Sequence, residues 1–270
     1  MNPWRALAHQ RLLLVPATVL LAATLAGCIT STTGRPTTAP SGTEAAQYNL
    51  ELGIGYLRQG NLAAAKEKLE RSIEQDPGLA TAHSALGLVY ERLEDLDSAE
   101  RQYRRAATLA PGDPDTQNAL GVFLCSQRDR PAEALKAFDR ALAIPLSRKN
   151  VNRAVVFTNA GTCAKRVDLA RAEDYLRRAV AEDPRYADAL YQLAEVMLAG
   201  DNALAARAFL ERYVTMAGPS AGGLLLGFRI ESRLGDAAAA TGYADRLRSE
   251  FPAAVEVKLL DASGAGQQRP

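Results

Sequence analysis

Histidine is nearly absent from this chain: His9 and His83 are the only two in 270 residues, beside three cysteines and a single tryptophan. So thin a set of imidazole and thiolate groups assembles neither a zinc site nor a Cys/His nucleophile. Excess charge of one sign is missing too, since 32 basic and 31 acidic side chains, interspersed, leave a net charge of +1. No global field would draw such a chain to nucleic acid. No apolar run reaches the roughly 20 residues of a membrane-spanning helix; the longest, residues 12–25, has 14. The glycine-rich stretch 218–227 has neither the lysine nor the helix-entry order of a phosphate loop. Glu67, Glu70 and Glu74 lie among Lys66, Lys68 and Arg71 at helical spacing, the pattern of solvated, ion-paired faces rather than of a catalytic acid pair. The expectation is a protein that is not an enzyme, with no metal, no cofactor and no small-molecule substrate.

What is present begins at the N-terminus. Arg5, His9 and Arg11 precede the apolar residues 12–25, the charge-then-apolar order of a secretory signal. The run ends Leu25-Ala26-Gly27-Cys28, which resembles the lipobox of bacterial lipoproteins; the alternative is a chance cysteine at an ordinary small-residue cleavage site. The resemblance implies cleavage before Cys28 and a covalent lipid on it, and acyl chains worth roughly 0.8 kcal/mol per buried CH₂ make a stable anchor. Ile29 stands where an aspartate would imply inner-membrane retention, so the resemblance implies the outer membrane, periplasmic face. Residues 29–44 are rich in Ser, Thr, Pro and Gly and read as a flexible tether, and the stretch after residue 258 reads as a flexible tail. The folded part expected is 45–258, with 1–27 as signal peptide and 28–44 as lipidated tether.

Within it the same residue types return every 34 positions. Gly53, Gly87 and Gly121 share that interval, as do Leu52, Leu86 and Leu120, Tyr56, Tyr90 and Leu124, Ala65 and Ala99, Pro77 and Pro111; Pro184 and Pro252 are 68 apart. Each unit predicts a first helix with a small residue that admits a second helix closely. A turn follows at Gly60-Asn61, Glu94-Asp95, Asp201-Asn202 and Gly235-Asp236. The second helix sets Ala99, Tyr103 and Ala106 on one face, and a proline ends the unit.

This pattern resembles the tetratricopeptide-repeat (TPR) family, in six units: 46–79, 80–113, 114–147, 154–186, 187–220 and 221–254. The fold implied is all-α, a right-handed superhelical solenoid. The third unit has one residue more between Gly121 and Ala134 and the fourth one fewer between Gly161 and Ala172, so distorted turns are expected there. In the sixth, Gly227-Phe228 is read as standing for Leu-Gly and Glu231 for the aromatic position, a weak unit that caps the array. His83 falls where the family has a bulky ring, a packing position. The family's groove positions, carried over, give Gln47, Leu50, Ile54, Leu57 and Arg58; Thr81, Ser84, Leu88, Glu91 and Arg92; and Asp115, Asn118, Val122, Cys125 and Ser126. Leu50, Ile54, Leu57, Leu88 and Val122 would form an apolar strip suited to an apolar or amphipathic segment of a partner. The alternative is that they pack under the neighbouring repeat. Cys125 and Cys163 fall late in the first helices of adjacent units, which allows a disulfide in an oxidising compartment; the alternative is two buried thiols acting as small hydrophobes.

The strings QYNLELGIGYLRQGNLAAAKEKLERSIEQDP, LGVFLCSQ, NAGTCAKR and ARAFLERY, together with the lipobox, are similar to the type IV pilus biogenesis and stability lipoproteins of the PilF/PilW family. That resemblance implies a pilotin-like role: binding the type IV pilus secretin and promoting its localisation and multimerisation in the outer membrane. A general periplasmic TPR scaffold for murein enzymes or outer-membrane protein assembly is the other reading.

Overall fold

The computed structural model describes residues 42–145 and 152–262. The signal, Cys28 and most of the tether lie outside these residues. Six antiparallel helix pairs follow one another: α1 (Gly42–Arg58) with α2 (Leu62–Gln75), α3 (Ala80–Arg92) with α4 (Leu96–Leu109), α5 (Pro114–Ser126) with α6 (Pro131–Ala143), α7 (Arg153–Ala164) with α8 (Leu169–Glu182), α9 (Ala187–Ala199) with α10 (Ala203–Ala217), and α11 (Ala221–Leu234) with α12 (Ala237–Glu250). A short α13 (Val255–Ala262) closes the series, and no strand occurs among the described residues.

The pairs close where the repeated small residue meets a large one. A Cβ at Gly121 would lie 2.7 Å from the Phe138 ring, and one at Gly227 2.5 Å from the Tyr243 ring. That contact corrects the register of the sixth unit. Leu226-Gly227 holds the Leu-Gly place, and Ile230, fully buried, holds the aromatic place. The capping role also moves, because α13 seals the end: Leu260 is buried with Leu224, Leu225, Ala244 and Leu247. Two boundaries shift for related reasons. The helix α1 begins at Gly42, inside the segment read as tether, with Glu44 favourably placed in its first turn. The last helix runs to Ala262, past residue 259 where the tail was expected to begin, since Leu260 gives it an apolar anchor.

Turn geometry follows the sequence pairs. Gly60, Glu94, Asp201 and Gly235 adopt positive φ, and the next residue in each case caps the second helix: Asn61, Asp95, Asn202 and Asp236 accept hydrogen bonds from the backbone N–H groups of Ala64, Ser98, Ala205 and Ala239. The third unit, with its extra residue, puts Asp129 in the left-handed region and leaves Arg130 at the cap without a side-chain bond. The fourth, one residue short, has no positive-φ residue in its turn and goes directly into the Asp168 cap.

The solenoid's core is built between units. One cluster runs from Ala99 to Ile230, a second joins Leu50, Leu57 and Leu69 to Leu86 and Val89, and the third is the α13 seal. His83 packs in it as expected, its ring nitrogens 2.7 Å from the Gln102 side-chain oxygen and 3.2 Å from the Pro77 carbonyl oxygen.

Candidate functional site

The backbones of successive first helices approach one another, while those of the second helices stand further apart and are bridged by side chains, so α1, α3, α5, α7, α9 and α11 line the inner face. The position just after the small residue forms its ridge. In the first three units that position is apolar: Ile54 and Leu88 are half-buried and Val122 is exposed. In the next two it is Thr162, exposed, and Glu195, half-buried. The inner face is therefore apolar at this position along α1, α3 and α5, polar in α7 and α9, and apolar again at the half-buried Phe228 of α11.

Two of the residues expected on this strip belong elsewhere. Leu50 and Leu57 are 4% and 6% exposed and pack in the second core cluster with Leu86 and Val89. The neighbouring unit rises over them, so the helix shows the partner side only at Ile54. Gln47 and Arg58 are exposed at the rim, with the Gln47 amide donating to Glu51 at 3.3 Å. Ser84 is half-buried, its hydroxyl enclosed beneath the ridge. Glu91 and Asn118 spend their polar atoms on neighbouring helices, within and between units. The Tyr103 hydroxyl and the Gln127 amide donate to Glu91 at 2.9 and 3.1 Å, and the Asn159 amide donates to Asn118 at 3.0 Å. Burial, and then the Glu91 carboxylate, raise the Tyr103 phenol, which stays a donor.

The polar half has its own network, on residues outside the expected groove set. Lys165 donates to Gln192 at 2.6 Å and pairs with Glu195 at 2.7 Å. Burial first and Glu195 second push the Tyr191 phenol up to about 12. Carrying the groove positions past the third unit would have reached Lys165 and Glu195. Between the halves, Cys125 and Cys163 are joined by a disulfide with Cα atoms 6.0 Å apart, tying α5 to α7 beside the inner face. Among the described residues no group of three His, Cys, Asp or Glu side chains could hold a metal ion.

Tetratricopeptide-repeat family models match residues 50–114 and 165–219. The type IV pilus assembly protein PilF of Pseudomonas aeruginosa is 28% identical over 245 residues, 90% of this chain and 96% of PilF. The crystal structure of PilW, described as a widely conserved type IV pilus biogenesis factor, superposes with a TM-score of 0.73 at 28% identity, covering 80% of this chain and 97% of PilW. The structure of Pseudomonas aeruginosa PilF gives 0.69 at 26% identity, with 82% and 99% covered. Units, inner face and near-complete coverage agree, and the chain is a tetratricopeptide-repeat protein homologous to PilF and similar in structure to PilW, both proteins of type IV pilus biogenesis.

Proposed function

We propose that this chain is an outer-membrane lipoprotein, anchored through Cys28 on the periplasmic face, that binds the type IV pilus secretin and promotes its localisation and multimerisation without catalysing a reaction. TPR proteins bind protein partners, and the relatives take part in type IV pilus biogenesis. The observation that carries the finer reading is the ridge of Ile54, Leu88 and Val122, an apolar strip with a polar continuation, which fits one amphipathic segment of a subunit awaiting assembly. The lipid supplies the address and the ridge the grip. Tethering both at one membrane raises the secretin's effective concentration there.

Gels of outer membranes, run without full denaturation, test this. Loss of secretin multimers in a strain lacking the gene, restored by the wild-type chain, is the expected result. Multimers at their normal level in the deletion strain would overturn it in favour of a scaffold for murein enzymes or outer-membrane protein assembly. Cys28→Ala should leave the fold intact and mislocalise both proteins, and correct secretin placement by that variant would remove the escort step.

A further inference from the structure

The six second helices carry arginine at one equivalent place: Arg71, Arg105, Arg140, Arg178, Arg212 and Arg246, all exposed. The series is unevenly balanced: Arg212 has Ala208 and Met216 at the four-residue step and donates to the Pro184 carbonyl instead. Four residues before Arg71 and Arg178 stand Glu67 and Asp174, and four after Arg246 stands Glu250, with which it pairs at 2.7 Å. Before Arg105 and Arg140 the same step reaches Arg101 and Lys136. Like charges at that spacing repel and weaken a helix. Here two adjacent helices, α4 and α6, both carry such a pair at the same positions.

The carboxylates nearby do not relieve it. Glu100 is taken by Arg104, Arg128 and Arg130; Glu133 by Arg104 and Arg130; Asp97 by Arg128; and Asp139 by Arg171 and Tyr175. Arg101 reaches only the Ser98 hydroxyl, at 2.8 Å. Among the described residues, Arg101, Arg105, Lys136 and Arg140 face no carboxylate within ion-pair distance. A chain whose charge sums to +1 thus gathers four exposed, uncompensated cations on its outer face, opposite the inner ridge. Beside Lys136 and Arg140 an open groove of about 500 Å³ is floored by Leu120 and Leu124 and lined also by Arg104 and Glu133, whose charges are paired with each other.

From this charge pattern we propose that the outer face of α4 and α6 is a docking surface for the headgroups of anionic phospholipids. Four cations spread over two helices match a field of phosphates better than a single carboxylate, and arginine meets phosphate oxygens with two parallel donors. The choice of a membrane over an acidic protein rests on the lipid-anchor reading, which keeps such a surface within reach. Docked this way, the solenoid lies against the bilayer with its inner ridge turned away and open to a partner.

Vesicle sedimentation tests it, using the chain from residue 29 onward, which holds every described helix and all three cores and carries neither signal nor lipid. Neither the anchor nor the secretin is present, so this test can fail independently of the proposed function. Vesicles containing phosphatidylglycerol should pellet the protein and pure phosphatidylcholine vesicles should not, with release as salt rises. Each basic residue near an anionic surface is worth roughly a factor of five in partition. Arg101→Gln, Arg105→Gln, Lys136→Gln and Arg140→Gln together should therefore weaken binding at least about 50-fold, with intermediate losses for the α4 and α6 pairs changed separately. The control Arg233→Gln with Arg246→Gln, both drawn from compensated pairs, should bind within about threefold of wild type. No binding to the anionic vesicles, or equal binding by the quadruple variant, overturns the proposal. So does tight, salt-sensitive binding of polyglutamate without vesicle binding, which would assign the patch to an acidic protein.

Discussion

Arg166 donates to the carbonyl oxygen of Cys125 at 2.7 Å, so the last turn of α5 is closed by a side chain from the following unit. Arg92 does the same for α1, donating to the Leu57 carbonyl at 3.2 Å. The carbonyls at a helix's C-terminal end have no partner within the helix. Here the next unit supplies one, and it does so at the edge of the inner face. The ridge is thereby held by its neighbours rather than by the intrinsic stability of short helices.

Beside Arg166 the disulfide between Cys125 and Cys163 closes a loop of 38 residues. In the chain-entropy picture, a cross-link of that span contributes on the order of 4 kcal/mol. Urea unfolding with and without reductant should differ by roughly that much, and Cys125→Ala with Cys163→Ala should match the reduced protein. Superimposable curves would show that the adjacent units are held without the link.

Glu94 sits at φ 61, a conformation that costs a side-chain-bearing residue about 1 kcal/mol. Glu94→Gly should raise stability by about 0.5–1 kcal/mol, and Gly60→Ala, at φ 76, should lower it by a similar amount. Thermal melts of the two variants check both signs. Destabilisation by Glu94→Gly would mean that the carboxylate matters more than the backbone.

The Arg130 guanidinium, with Arg104 and Arg128 on the other sides, holds the Glu100 carboxyl down at about 2. A folded-state value below the unfolded one gives stability that is complete above about 4.5 and is lost as pH falls from there through about 2. After allowance for solvent screening, the contribution is on the order of 1 kcal/mol. Glu100→Gln should lower stability at pH 7 and flatten its fall between pH 4.5 and 2, the window that the shift defines. An unchanged acid limb in denaturant titrations would show that the cluster does not couple to folding.

The units were legible because three kinds of constraint recur in register: glycine where helices touch, a left-handed residue followed by Asn or Asp at the turn, and proline at the end. Such constraints act through a few residues, so spacing alone locates them. The direction each side chain takes on a first helix is set by the unit stacked against it. For that reason Leu50 and Leu57 read as groove lining and lie in the core, whereas Ile54 and Leu88 are half-buried against it and Val122 is exposed. The sixth register slipped because Gly227 adjoins Phe228, and only the contact with Tyr243 decides which residue is the small one. The charge cluster around Glu100 was not legible, since two of its arginines, Arg128 and Arg130, come from the turn of the following unit.

The most direct test is the affinity of the purified chain for the secretin, measured for wild type and for Ile54→Ser, Leu88→Ser and Val122→Ser combined. Loss of apolar contact at three partly exposed positions should weaken binding at least about 30-fold, with the thermal melt close to that of wild type. Unchanged affinity in the folded triple variant would contradict the account and move the partner off the inner ridge.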